Sequence, residues 1–172
     1  MLNALRRRSE TDSLVRQLQA ALNVRAREPV FFREFGAEDT IDGRFDILAL
    51  HAWLVLSRLE VQGRNDLARR LADSLFIGFD EALRDLGAGD MGMGRRIKKF
   101  ADAFNGRMVA YEGAKDPAAL ADAMIRNIYR GRPGHEAQAR ALTAYALSAQ
   151  AHLARQDLTQ GTVDFGALPE LT

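Results

Sequence analysis

The sequence contains no cysteine among its 172 residues. Disulfide bonds, thiolate metal sites and thiol catalysis are therefore excluded, and the composition fits a reducing compartment. The three histidines, His51, His135 and His152, are too scattered along the chain to suggest a metal centre. Lysine and arginine total 24 against 23 acidic residues. The chain thus lacks the global charge excess of a polyanion-binding protein, and any basic surface must be local.

Long hydrophobic runs are also missing. The longest, ILALHAWLVL at 47–56, contains a histidine and is well short of the ~20 residues that a membrane-spanning helix requires. The N-terminal MLNALRRRSETD has no signal-peptide apolar core. We interpret this start as a solvated helix end, with a weak interfacial anchor as the alternative. We do not expect this chain to be an integral membrane protein.

Apolar residues recur at intervals of three and four, whereas alternating strand patterns are missing. This periodicity predicts an all-α fold: a single compact domain of about six or seven helices with a short irregular C-terminal tail. Residues 45–59 are apolar on almost every side, which indicates a central helix. Asp116 and Pro117 predict the start of a later helix, because they suit its N-cap and first turn.

The chain length suits one domain with a sizeable core. Within it we distinguish an N-terminal helical extension at 1–27, a helical domain at 28–155 and a tail at 156–172. No internal repeat divides these segments.

Glycines are concentrated in LGAGDMGMGRRIKKF at 86–100. Gly87, Gly89 and Gly92 match the GxGxxG pattern of dinucleotide-binding folds, but that pattern requires a preceding strand and the preceding SLFIGFDEALRDL is helical. We therefore interpret the segment as a helix end, a turn and a new helix start. Asp90 suits such a turn, because its carboxylate can accept from free backbone amides or pair with an arginine.

His51 and Arg58 are seven residues apart and share a face of the central helix. The spacing suggests a partly buried structural polar network that includes His51, Arg58 and Asp90. No nucleophile lies beside a base and no catalytic carboxylate pair stands out, so we expect no enzyme, no cofactor and no metal site. The alternative is a helical small-ligand-binding protein or enzyme that uses the Gly87–Gly94 turn with His51 and Arg58.

The helix after the glycines has an apolar face and a basic face. The basic residues are either a solvated surface or a docking surface for a partner, a ribosome or a membrane, with salt-sensitive binding as its signature. The candidate docking residues are Arg95, Arg96, Lys98, Lys99 and Arg107. Gly106 lies inside this helix, and we expect a close helix contact there to compensate for its cost.

Three segments resemble the ubiquinol-cytochrome c chaperone family. They are FDILALHAWLVLSRL at 45–59, ADSLFIGFDEALRDLGAGDMGMGRRIKKFADAFNGRMVAYEGA at 72–114 and, more loosely, PVFF at 29–32. The resemblance covers roughly 28–150. A tryptophan-bearing central helix, then LRDLGAGD, then RRIKKFADAFNGR and a tyrosine follow in the family's order and spacing.

This resemblance implies a chaperone that binds newly made cytochrome b and supports assembly of the cytochrome bc1 complex. Mitochondrial members of the family act with a small partner protein and sit near the ribosomal tunnel exit. By analogy, the expected partners are cytochrome b, a small partner chaperone and a ribosome or membrane surface, and DNA is not among them. The short N-terminus resembles that of a bacterial member, working in the cytoplasm or at the inner face of the cytoplasmic membrane.

An apolar client would need exposed aromatic or methionine side chains. Five residues near the PVFF turn and the glycine segment are candidates for this contact, although each also suits a core position. The candidate client-contact residues are Phe31, Phe32, Phe35, Met91 and Met93.

Overall fold

The computed structural model describes residues 2–85 and 93–170. These ranges contain seven α-helices, a short 3-10 helix and no strand, which confirms the all-α prediction. The helices are α1 (Leu2–Ala26), α2 (Val30–Arg33), α3 (Ile41–Val61), α4 (Asn65–Asp85), α5 (Met93–Glu112), α6 (Pro117–Asn127) and α7 (Glu136–Leu153), followed by the 3-10 helix Leu158–Gln160.

Helix α3 is the centre of the fold, and it contacts α1, α4, α5 and α7. Its residues are buried on every side, as its all-round apolar sequence predicts. The helix begins at the N-cap Thr40, whose side chain accepts a hydrogen bond from the Gly43 amide. A Cβ at Gly43 would collide with the backbone carbonyl of Glu38. Glycine therefore lets the preceding loop pass directly over the first turn of α3.

Both ends of the chain contribute to the same hydrophobic core. Leu18 and Leu22 of α1 are fully buried against α3 and α4. At the other end, Leu158 and Phe165 are buried as well. The 1–27 extension and the 156–172 tail thus supply core side chains, although the boundaries at 27 and 155 stay predictions.

Helices α6 and α7 form the most extensive helix pair. The predicted start of α6 is confirmed, because Asp116 accepts a 2.8 Å hydrogen bond from the Ala119 amide and Pro117 is the first helical residue. Ala123 and Ala146 are fully buried, and their small side chains allow the two backbones to approach closely. This pair places the chain after α6 beside the start of α3.

The prediction of a close helix contact at Gly106 is wrong. This residue lies in α5 and is exposed, and outside its own stretch of helix no atom of the described residues lies within 4 Å of the position that a Cβ would take. The glycine therefore lowers helix stability without a packing gain.

Candidate functional site

The exposed basic face of α5 consists of Arg95, Lys98 and Lys99. The side chain of Arg96 lies outside the part of the chain that the structure describes. Arg107 was predicted to extend this face, and that placement is wrong. Its side chain is only 12% exposed and pairs with Asp46. Arg107 lies seven residues after Phe100, or about two helical turns, so it shares the inward side of α5 rather than the basic face.

Asp46 of α3 is a fully buried carboxylate held between two arginines. Arg107 of α5 donates a hydrogen bond to its Oδ1, and Nη1 of Arg130 lies 2.7 Å from its Oδ2. The Arg107 guanidinium also lies 4.9 Å from the Phe45 ring centre. Burial raises the pKa of Asp46, and the two guanidinium charges oppose that rise. The three side chains tie the start of α3 to α5 and to the loop after α6.

Arg130 has an unusual backbone conformation. Its φ of 58° is the only positive value at a non-glycine residue in the described ranges. The left-handed region costs about 1–2 kcal/mol for such a residue. Contacts of its guanidinium with Asp46 and with the Asn127 carbonyl, at 2.7 and 2.6 Å, hold this conformation. Backbone hydrogen bonds of the same turn, from Gly131 N to the Ile125 carbonyl and from Arg132 N to the Tyr129 carbonyl, also support this conformation.

His51 is fully buried and belongs to a chain of hydrogen bonds. Its Nδ1 lies 2.8 Å from the Ile47 carbonyl, which can only accept, so Nδ1 carries the proton. Its Nε2 therefore accepts from the Tyr145 hydroxyl at 2.7 Å, and that hydroxyl accepts from Nε of Arg25 at 2.9 Å. Burial lowers the pKa of His51 to about 4. The imidazole is therefore neutral at physiological pH.

Arg58 lies in a separate network. Its Nη2 donates to the Gln156 carbonyl at 2.8 Å. His51 and Arg58 share a helix face, but two turns separate them by ~10 Å along the axis, so they reach different partners. The predicted His51–Arg58 network is thus wrong, and Asp90 lies outside the described residues. Because His51 has no exposed surface, it cannot contact a ligand at the Gly87–Gly94 turn, whose residues before Met93 also lie outside the described ranges.

Arg25 fixes the C-terminal tail over the His51 cluster. Its Nη2 donates to the carbonyls of Gly166 and Ala167 at 2.6 and 2.8 Å. Phe165 of the tail packs on α3, where its ring lies edge-on to the His51 ring with centres 5.2 Å apart. The tail is irregular, as predicted, and it is anchored to the helical core.

Two of the candidate client-contact residues lie inside the core. Phe31 and Phe35 are fully buried, and Phe31 packs edge-on against His51 at 5.0 Å. The prediction that these two rings contact a client is therefore wrong for this structure, because both rings pack into the hydrophobic core. Phe32 is half-buried at the edge of the core. Met91 and the side chain of Met93 lie outside the part that the structure describes.

Open clefts lie on the described surface, and two of them adjoin α6. An apolar cleft of about 500 Å³ lies between α6 and α7 and includes Ile125 and Leu147. A second cleft, of about 790 Å³, lies between the start of α3, α5 and the end of α6. Among residues 2–85 and 93–170, no group of three or more acidic or histidine side chains could hold a metal ion. Within the same residues, no helix has the length and apolarity needed to cross a membrane.

Comparison with known proteins identifies the class of protein. The family model described as ubiquinol-cytochrome C chaperone matches residues 33–161. This match spans more than half of the chain, so the protein belongs to the ubiquinol-cytochrome c chaperone family, as the three sequence segments indicated.

A solved relative has the same architecture. The crystal structure of the Cbp3 homolog from Brucella abortus is similar to this chain with a TM-score of 0.83 and 33% sequence identity, and the match covers 97% of each chain. Because of that coverage, the likeness includes most of α1 and of the tail, which the sequence resemblance left out. Comparison with curated protein sequences gave no match.

Proposed function

We propose that this protein is an assembly chaperone that binds newly made cytochrome b and supports assembly of the ubiquinol-cytochrome c reductase (bc1) complex. The observation that carries the proposal is the family match over 33–161, joined to 33% identity with a Cbp3 homolog over 97% of both chains. The role needs no bond-making chemistry. It fits a domain in which the most buried polar groups, Asp46 and His51, are engaged by structural partners.

The basic face of α5 supports docking next to the site where the client is made or inserted. Arg95, Lys98 and Lys99 are exposed, and none of them has an ion-pair partner in the described part of the chain. Such a face attracts anionic lipid headgroups or ribosomal RNA at low ionic strength. For the client itself, Phe32, Met91 and Met93 remain the proposed contacts. The protein would then work in the cytoplasm, at the inner surface of the membrane, with a small partner chaperone.

The chaperone role is tested in a strain that lacks this protein and otherwise makes a bc1 complex. We expect less assembled complex and faster loss of newly made cytochrome b, both restored by the wild-type chain. Crosslinking during synthesis should capture cytochrome b on the restored protein. Normal bc1 content and normal cytochrome b lifetime in the deletion strain would contradict the proposal.

The docking surface is tested by Lys98→Glu combined with Lys99→Glu. Each lysine near an anionic membrane contributes about 1 kcal/mol, so we expect affinity for anionic vesicles or ribosomes to fall at least about tenfold at low salt. The matched control is Lys115→Glu with Arg155→Glu, which reverses two exposed charges outside this face. Circular dichroism should show that both variants fold. If both double variants co-sediment like the wild type, the face is only a solvated surface.

A further inference from the structure

The 790 Å³ cleft between α3, α5 and α6 has an apolar wall. Ile41, in the first turn of α3, is 43% exposed there. Beside it, the half-buried Phe100 ring meets the Phe45 ring edge to face with centres 5.0 Å apart, and Phe45 is buried behind this wall. The volume lies within the range of small-molecule sites in proteins, which are about 300–1,000 Å³. One side of the cleft can therefore receive an apolar group of a ligand.

The cleft is also lined by basic residues. Its cationic residues are Lys99, Arg107, Arg126 and Arg130. Asp46 carries one negative charge but contacts two of these guanidinium groups, so one positive charge in that triad is not balanced. Lys99 and Arg126 are exposed and have no hydrogen-bond or ion-pair partner among the described residues.

The acidic residues in the cleft do not cancel this charge. Glu38 is bound by Arg132, which is outside the lining, and Asp42 is the remaining exposed carboxylate. Among the described residues, two buried N–H donors of the lining, Arg107 Nε and Asn127 Nδ2, have no acceptor, and the buried Asp46 Oδ2 is ion-paired with Arg130 without a hydrogen bond. Buried donors are usually paired in folded proteins, and an anionic oxygen is the acceptor that suits both.

We propose that this cleft binds an anionic amphiphile, with its phosphate or carboxylate held by Lys99, Arg126 and Arg130 and its apolar chain on Ile41 and Phe100. Arginine suits this task, because its planar donors match the oxygens of both anions. The apolar wall distinguishes the site from one for free phosphate or for nucleic acid. The inference does not depend on the chaperone role, because binding is measured on the isolated protein.

Decyl phosphate, kept below its critical micelle concentration, is the probe for calorimetric titration of the full chain. We expect saturable one-to-one binding that weakens as salt is added, at least about tenfold tighter than inorganic phosphate alone. Decyltrimethylammonium carries the same chain with the opposite charge and should not bind. Equal binding of the two amphiphiles would overturn the proposal, because it would show apolar adsorption only.

Two variants assign binding to the cleft. Lys99→Gln with Arg126→Gln removes the two unpaired cations and should weaken decyl phosphate binding about tenfold, at a few-fold for each exposed charge. Asp42→Asn removes the opposing carboxylate and should strengthen binding about twofold to threefold. The matched control, Lys115→Gln with Arg33→Gln, changes two exposed cations outside the cleft and should bind as the wild type. Wild-type affinity in both cleft variants would overturn the proposal.

Vesicles distinguish a membrane lipid from a free amphiphile. If the ligand comes from a membrane, the protein should bind phosphatidylcholine vesicles that contain phosphatidylglycerol. Decyl phosphate should compete with this binding, and Asp42→Asn should strengthen it. Competition in solution without vesicle binding assigns the cleft to a free amphiphile and still supports it. If hexaglutamate occupies the cleft as well as decyl phosphate does, the proposal of an amphiphile is overturned, and the cleft binds an acidic peptide instead.

Discussion

The buried His51 makes the stability of this protein sensitive to mild acid. In the folded state, burial lowers the pKa of His51 to about 4, whereas a histidine in an unfolded chain titrates near 6.5. Protonation in the folded protein would place a second N–H against the Tyr145 hydroxyl, which already donates to His51 and accepts from Arg25. The Tyr145 hydroxyl hydrogen would then have to turn away from His51 Nε2, which could no longer accept it. The unfolded state therefore binds the proton more readily than the folded state.

The sign and the size of the effect follow from this difference. The contribution of neutral His51 is fully present above pH 6.5 and is lost as the pH falls from 6.5 toward 4. The free energy of unfolding should decrease by about 1.4 kcal/mol for each pH unit in that window, which amounts to about 2 kcal/mol at pH 5 and about 3 kcal/mol at pH 4. Carboxylates with lowered pKa values, such as Asp39 and Asp164, add further losses at more acidic pH.

Urea unfolding at several pH values between 7.5 and 5 measures this slope. The control is His51→Gln, which keeps all other titratable groups, so that the difference in slope between the two proteins isolates His51. The variant will be less stable at every pH, because it replaces a buried hydrogen-bonded ring, but its slope should be shallower. Parallel slopes would refute the reasoning, as would an NMR titration in which the His51 ring of the folded protein titrates near 6.5.

Two further predictions concern single contacts. Gly106→Ala should raise the free energy of unfolding by about 1 kcal/mol and the melting temperature by roughly 2–4 °C, because the exposed helical site has room for the methyl group. Gly43→Ala should lower both quantities, because its Cβ would collide with a backbone carbonyl. A loss of stability in Gly106→Ala would contradict the open site. Asp46→Asn should cost about 3 kcal/mol in urea unfolding, because it leaves the buried Arg107 charge unpaired, and Arg130→Gln should cost about 1 kcal/mol, since that side chain is 35% exposed. Equal losses at Asp46 and Arg130 would show that burial does not set the cost.

The helical architecture could be predicted from the sequence because its causes are local. The three-and-four spacing of apolar residues decides where a helix has a buried face, and the Asp116–Pro117 pair decides where α6 begins. The all-round apolar sequence of 45–59 likewise made α3 the central helix. Each of these signals depends on residues within a few positions of one another, so a single sequence contains them in full.

The polar contacts could not be predicted in the same way, because their partners are distant along the chain. Asp46 and Arg107 are 61 residues apart, and His51 and Tyr145 are 94 residues apart. Helical periodicity shows which side of a helix a residue occupies, but not which neighbour lies there. The charge of Arg107 therefore favours the basic face, although its position two turns after Phe100 indicates the buried side. Asp46 is marked in the sequence as an acidic residue within an apolar run, but this pattern does not identify the residues that pair with it.

Four polar side chains of α3 make such distant contacts. Asp46 reaches α5 and the loop after α6, His51 reaches α7, the Trp53 indole donates to Glu112 at the end of α5, and Arg58 reaches the chain after α7. A helix that is apolar on every side gains similar burial energy in several rotations about its axis. The observed rotation places all four polar groups against partners, and a turn in either direction would separate them from these partners. Hydrophobic burial therefore places α3 in the centre, and its polar side chains decide which of its faces meets each neighbouring helix.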